Sequence, residues 1–278
     1  MKNTFLIALT AATLAVLPVA KADTPLMLHY QLYAGGLDVV KVDMRYTLTD
    51  AHYDINAEGR TRGLWRTLVP WSAHVQAKGA VQPDVKVAPV TAIYDTIWSD
   101  KLKSVRMDFE PTGDIITKNT PPRAPGGRNE ATPEQIRGSI DPVSAIALVL
   151  ARASAGETAC SGTIPAFDGR RRYDLVLASK GVEEMRKTDY NIYSGPAERC
   201  EITFTPVAGF PKKDEKNGFW SVRDNEKKDS PLIIWLARTE ENGPVLPIRL
   251  QTDGAYGTIV AHLGSYEPLP VAQAVTAP

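Results

Sequence analysis

The fold class is decided by residues 39–48, which read Val39-Val40-Lys41-Val42-Asp43-Met44-Arg45-Tyr46-Thr47-Leu48. Apolar side chains stand at every second position from Val40 to Leu48, with charged or hydroxyl side chains between them. Successive side chains of a strand point to opposite faces of a sheet, so this alternation predicts a strand with one buried face. Gly35-Gly36 separates it from a second strand-like run at 29–33, which predicts a β-hairpin.

Strand-like runs continue along the chain, separated by glycine- and proline-rich turns. They cover residues 52–61, 90–98, 104–110, 115–116, 172–178, 189–193, 201–206, 232–236, 248–252 and 258–263. We therefore predict a mainly β protein whose antiparallel sheet curves into an open half-barrel or β-spiral. A single domain is expected over residues 23–267, followed by a disordered tail at 268–278.

One buried helix is predicted around residues 142–153. Asp141 is a suitable N-cap and Pro142 suits the first turn. An apolar stripe at i, i+3, i+4 and i+7 comprises Val143, Ile146, Ala147 and Leu150, and further apolar residues lie on the opposite side. We expect this helix to lie across the concave side of the sheet. Two alternatives stay open: a fixed plug, or a helix that shifts to expose a groove.

The first 22 residues have the order of a secretory signal peptide. A lysine precedes an apolar run at residues 5–17, and Ala20-Lys21-Ala22 provides the small residues of a cleavage site. The run has 13 residues, whereas a membrane span needs about 20. No lipobox cysteine is present near the cleavage point. These features predict export to the periplasm with cleavage after Ala22, and no transmembrane segment in the mature chain.

The charge balance and the cysteines restrict the partners and the compartment. Removing the two lysines of the signal peptide from 32 basic residues leaves 30 against 32 acidic ones, so nothing in the net charge favours nucleic acid or an anionic membrane. Cys160 and Cys200 are the only cysteines. An even count in an oxidising compartment predicts one structural disulfide. The C-x-x-C spacing of redox pairs is absent.

The sequence contains none of the spacings that identify common catalytic machinery. It has no G-x-S-x-G, H-E-x-x-H, Walker loop or G-x-G-x-x-G. The four histidines are scattered, so the short spacing of zinc ligands is missing. We expect no enzyme activity, no cofactor and no metal.

Several ordered motifs resemble the DUF3108 family of unknown function. They are Gly35-Gly36-Leu37, Asp141 to Ala145, Cys160, Phe167 to Leu175, Tyr193 to Ala197, Arg199-Cys200 with Pro206 to Phe210, and Gly257 to Leu263. The resemblance extends over about residues 26–265. It implies a periplasmic or envelope-associated protein, and it transfers no catalytic residue.

Two candidate binding surfaces follow from these patterns. The first is an apolar groove lined by Val143, Ile146, Ala147, Leu150, Trp98 and Tyr94. The second is an anion contact at Arg170 and Arg172, because guanidinium groups suit phosphate and carboxylate. The alternative for these arginines is a solvated turn. The expected function is a non-enzymatic envelope protein that binds an apolar ligand, such as a lipid or an apolar segment. The alternative is an envelope-integrity scaffold without a ligand cavity, which acts through protein contacts.

Overall fold

A computed structural model of the protein describes residues 24–122, 130–210, 230–240, 243–254 and 257–270. Thirteen strands run through these residues. They are β1 Leu26–Ala34, β2 Leu37–Leu48, β3 His52–Thr61, β4 Trp71–Val81, β5 Val87–Trp98, β6 Lys101–Phe109, β7 Ile115–Thr120, β8 Ser161–Phe167, β9 Arg172–Met185, β10 Gly195–Ala208, β11 Leu232–Arg238, β12 Val245–Gly254 and β13 Gly257–Pro268. Three helices accompany them: α1 Gly63–Leu68, α2 Pro133–Ile136 and α3 Pro142–Ser154.

All thirteen strands form one antiparallel sheet, in the order β7-β6-β5-β4-β3-β2-β1-β13-β12-β11-β10-β9-β8. Consecutive strands pair with each other throughout except for β7 and β8, and β1 also pairs with β13. This last pairing joins an amino-terminal half, β1–β7, to a carboxy-terminal half, β8–β13. Strands β7 and β8 stand at the two ends of the order, so the sheet is not closed into a barrel. The prediction of a mainly β protein with one open antiparallel sheet is confirmed.

Strand β2 follows the alternation that its sequence predicted. Val42, Met44 and Leu48 pack against the core, and Tyr46 is only 2% exposed. On the other face, Asp43 contacts Nδ1 of His29 at 2.5 Å and Nζ of Lys41 at 2.9 Å. From Val42 to Leu48 the apolar side chains therefore face the core, as the alternation requires.

Helix α3 lies on the concave side of the sheet. It contacts β4 and β5 in one half and β8 and β12 in the other. Ala147 and Leu150 are completely buried. Full burial of a leucine side chain stabilises a fold by about 1.5–3 kcal/mol, so α3 contributes strongly to the joint core of the two halves.

The disulfide connects the segment after α3 to the sheet. Cys160 and Cys200 are bonded, with their Cα atoms 5.4 Å apart, and both side chains are buried. This confirms the predicted pair. Within the described residues, no helix has the length and apolar composition to cross a bilayer.

Three sequence expectations differ from the structure or fall outside it. The strand predicted at 189–193 is a loop, because the side chain of Asn191 bonds the carbonyl of Tyr193 and the loop backbone. Strands β4 and β8 were not predicted. The predicted signal peptide, residues 1–22, and most of the predicted disordered tail lie outside the described residues.

Candidate ligand-binding cleft

The amino-terminal end of α3 is held by a buried cluster of polar groups. The carboxylate of Asp141 accepts hydrogen bonds from the backbone N–H groups of Val143 and Ser144, at 3.0 and 3.1 Å. It also accepts from the hydroxyl of Tyr94 at 2.6 Å and from the hydroxyl of Ser144. The hydroxyl of Tyr53 lies 2.6 Å from that of Ser144. Asp141 and Ser144 are fully buried, so this end of the helix is fixed to β3 and β5.

Burial sets the protonation behaviour of this cluster. It raises the pKa of the Asp141 carboxyl above its ordinary value, although the hydroxyl and amide donors act in the opposite direction. Burial also raises the pKa of Tyr94 well above its ordinary value, and the neighbouring Asp141 adds to the effect. Tyr94 therefore keeps its proton and remains a donor. The cluster serves as a helix cap.

Gly79 of β4 allows Tyr53 to reach the helix. A Cβ atom at Gly79 would lie 2.7 Å from the hydroxyl oxygen of Tyr53 and 2.3 Å from the carbonyl oxygen of Ala88. Both distances are too short for a methyl group. The absence of a side chain at this position therefore lets Tyr53 cross β4.

A cleft of about 550 Å³ opens at the other end of α3. It lies between the last turn of the helix and the turns that follow β2, β4 and β11. Its apolar wall includes Leu26, Leu48, Val81 and Ala151, with Tyr46 as a further lining residue. We call this space the Tyr46 cleft. Its volume lies within the range of small-molecule sites.

Tyr46, which lines this cleft, carries a buried hydroxyl group. Its oxygen is buried and has no hydrogen-bond partner among the described residues. Burial raises the pKa of Tyr46, so the group keeps its proton and can donate. Tyr30, also buried, instead donates to the carbonyl of Pro247 at 2.8 Å. A buried hydroxyl without a partner costs about 1–3 kcal/mol.

The rim of the Tyr46 cleft is polar. Arg238 donates to the carbonyl of Ser154 in the last turn of α3 at 3.4 Å and to the carbonyl of Gly243 at 2.5 Å. Glu240 accepts a hydrogen bond from Tyr266 at 3.0 Å. The arrangement combines an apolar interior with charged groups at the mouth, and it suits a molecule with an apolar body and a polar end.

The structure separates the residues of the predicted apolar groove. Val143 and Ile146 are partly buried against the core, and Ala147 and Leu150 are completely buried. Tyr94 belongs to the cap of α3.

Trp98 lies four residues further along β5, about 13 Å beyond Tyr94 and away from the helix, and is 57% exposed. The cleft instead uses Ala151 and Ser154. These two residues extend the predicted apolar stripe of α3 by one helical turn. The sequence periodicity could therefore have identified them.

The three arginines around the predicted anion contact lie at the β8–β9 turn. Arg172 pairs with Asp174 at 2.7 Å. Arg171, the most buried of the three arginines, contacts Asp168 at 3.1 Å and lies over the ring of Phe210. Arg170 donates its backbone N–H to Asp168. The charges of Arg171 and Arg172 thus already face carboxylates, and anion binding at Arg170 and Arg172 stays a prediction.

Comparison with known families matches nearly the whole sheet to one of them. The model of DUF3108, described as a protein of unknown function, matches residues 29–264. No curated protein matches the chain. Among solved structures, the chain is similar to the crystal structure of a β-barrel-like protein of the domain of unknown function DUF1849 from Brucella abortus. The two are 12% identical with a TM-score of 0.48, over 89% of this chain and 98% of that one.

Proposed function

The chain belongs to the DUF3108 family, and from this premise we propose that it is an exported, non-enzymatic protein of the cell envelope. Its task is to hold an apolar ligand with a polar end in the Tyr46 cleft. The apolar part of the ligand lies against Leu26, Leu48 and Val81, and its polar end accepts a hydrogen bond from the hydroxyl of Tyr46.

The observation that carries this proposal is the buried hydroxyl of Tyr46. Its oxygen lacks a partner among the described residues, and Tyr46 is one of the residues that line a cleft with apolar walls. A ligand that accepts a hydrogen bond from this hydroxyl would remove the cost of leaving it unpaired. Site geometry of this kind, a few polar groups in an apolar concavity, is typical of small-molecule binding.

Other features support export and a role without catalysis. The order of residues 1–22 is that of a signal peptide, and the disulfide is compatible with an oxidising compartment. Among the described residues, Asp141 has the most deeply buried carboxylate, and this group caps α3.

The test is uptake of a dansyl-labelled fatty acid, measured by fluorescence. Ala155 is exposed at the mouth of the cleft and caps α3, so Ala155→Trp fills the entrance without disturbing the core. We expect wild-type protein to take up the probe at one site and Ala155→Trp to lose at least about tenfold in affinity. Glu157→Trp, at an exposed position outside the cleft, is the matched control and should bind like wild type.

The proposal fails if wild-type protein takes up no such probe, or if the two tryptophan variants bind equally well. In that case the second candidate, an envelope scaffold, takes its place. One observation favours that candidate: α3 already fills the concave side of the sheet, with Ala147 and Leu150 completely buried. A scaffold should retain stable protein partners in a detergent extract, and these complexes should be unaffected by Ala155→Trp.

A further inference from the structure

Exposed apolar side chains are concentrated at the end of the sheet opposite the Tyr46 cleft. Twelve large apolar residues of the described chain are exposed. Six of them lie in three neighbouring segments at this end: Leu37, Leu64, Leu68, Ile97, Trp98 and Leu102. We call this surface the Trp98 tip. Half of the exposed large apolar residues are thus gathered on one surface, whereas exposed apolar residues without a function are usually scattered singly.

Specific contacts hold the three segments of the tip together. Arg62, the N-cap of α1, pairs with Asp38 at the start of β2 at 2.9 Å, and its backbone N–H donates to the carbonyl of Val39 at 3.0 Å. The backbone N–H of Ser99 in the β5–β6 turn donates to the carbonyl of Pro70 at 3.1 Å. The tip is therefore a single surface.

Helix α1 forms the most prominent part of the tip. None of its residues is buried, and Leu64 and Leu68 are 72% and 62% exposed. These leucines are four positions apart, so they lie on the same side of the helix. Two exposed leucines do not contribute to the stability of the fold. Their position on one side of the helix indicates that another surface covers this side in the cell.

The charges around the tip indicate what covers it. Four basic side chains belong to the same segments: Arg62, Arg66, Lys101 and Lys103. Only two acidic side chains accompany them, Asp38 and Asp100, and Asp38 is paired with Arg62. The whole chain is nearly neutral, but the tip carries a local excess of positive charge. The net charge of the chain gave no reason to expect binding to an anionic membrane, whereas the local charge of the tip does.

We propose that the Trp98 tip docks on the surface of an anionic phospholipid bilayer. Leu64, Leu68 and Trp98 enter the boundary between headgroups and acyl chains, where an indole ring is well accommodated. Lys101 and Lys103 place their charges among the phosphates while their methylene stems cover apolar surface.

The test is co-sedimentation of the exported protein with lipid vesicles. The amino terminus is first verified by mass spectrometry, so that the apolar run at 5–17 does not contribute. We expect strong binding to equimolar phosphatidylcholine–phosphatidylglycerol vesicles, weak binding to phosphatidylcholine alone, and loss of binding as salt is raised. Leu64→Ser with Leu68→Ser should lower the partition coefficient at least about tenfold.

Two comparisons make the experiment specific to the tip. The pair Ile116→Ser and Val182→Ser removes equally exposed apolar side chains elsewhere on the sheet and should leave vesicle binding unchanged. Bromine-labelled lipid should quench part of the tryptophan fluorescence, and Trp98→Phe should remove that part. Equal loss of binding in the two serine pairs, no binding to anionic vesicles, or quenching unaffected by Trp98→Phe would overturn the proposal. The Tyr46 cleft plays no part in this test.

Discussion

Replacing Tyr46 by phenylalanine is expected to stabilise the ligand-free protein. The substitution keeps the ring and removes only the hydroxyl, whose oxygen is buried without a partner among the described residues. The cost of such a group is about 1–3 kcal/mol. We therefore expect the free energy of unfolding of Tyr46→Phe to exceed that of wild type by about 1–2 kcal/mol. For a protein of this size each kcal/mol raises Tm by about 2–4 °C.

The same substitution should weaken ligand binding. In the bound state the hydroxyl of Tyr46 donates to the ligand, so its removal should lower affinity for the dansyl-labelled fatty acid by about five- to thirtyfold. Higher stability combined with lower affinity is what we expect when a polar group is paired only in the presence of the ligand. Urea denaturation measures the first, and fluorescence titration measures the second.

Tyr30→Phe is the matched control, because Tyr30 is also buried but donates to the carbonyl of Pro247. Its loss leaves that carbonyl unpaired and should lower the free energy of unfolding by about 1–2 kcal/mol, with little effect on binding. If Tyr46→Phe were destabilised as much as Tyr30→Phe, the hydroxyl of Tyr46 would have a partner within the protein. The reasoning that assigns it to a ligand would then be refuted.

Three other perturbations test the remaining structure by urea denaturation. Asp141→Ala removes the cap of α3 and leaves buried donors unpaired, so it should destabilise the protein by about 2–4 kcal/mol; an effect below half that range would contradict the fixed helix. Replacing Cys160 and Cys200 by alanine opens a loop of 40 residues and should remove about 3–4 kcal/mol; an unchanged urea midpoint would refute this. Burial and Arg249 lower the pKa of His262 below 6.5, so the unfolded chain binds this proton more readily. Stability should therefore fall as the pH drops from 6.5 toward the folded-state pKa, and His262→Gln should reduce that fall; equal falls in both proteins would count against it.

The sequence predicted those elements whose own side chains specify their structure. The alternation in β2 is strong because Val42, Met44 and Tyr46 are large, and the helix cap at Asp141 is a local hydrogen-bonding pattern. Strand β4 also alternates, with Trp71, Ala73 and Val75 on one face and Ser72, His74 and Gln76 on the other. Its signal was present in the sequence but weakened by small inward residues such as Gly79, which leaves room for Tyr53 to cross the strand.

Strand β8 forms although it was not predicted, and a loop forms at 189–193 where a strand was predicted. Pro165 interrupts β8 in sequence, but the strand stands at the edge of the sheet, where proline is tolerated. The composition of 189–193 favours a strand, but Asn191 is buried and bonds the loop backbone. The Tyr46 cleft could not be predicted, because distant turns and the last residues of α3 form it together.

Photo-crosslinking with a fatty acid that carries a diazirine in its chain tests the central claim most directly. The exported protein is irradiated with this probe, digested, and its labelled peptides are identified by mass spectrometry. We predict labels on the segments that contain Leu48, Val81 and Ala151, with competition by unlabelled fatty acid and loss of labelling in Ala155→Trp. Labels confined to other surfaces, or labelling of the cleft that excess fatty acid does not reduce, would contradict a ligand site at Tyr46.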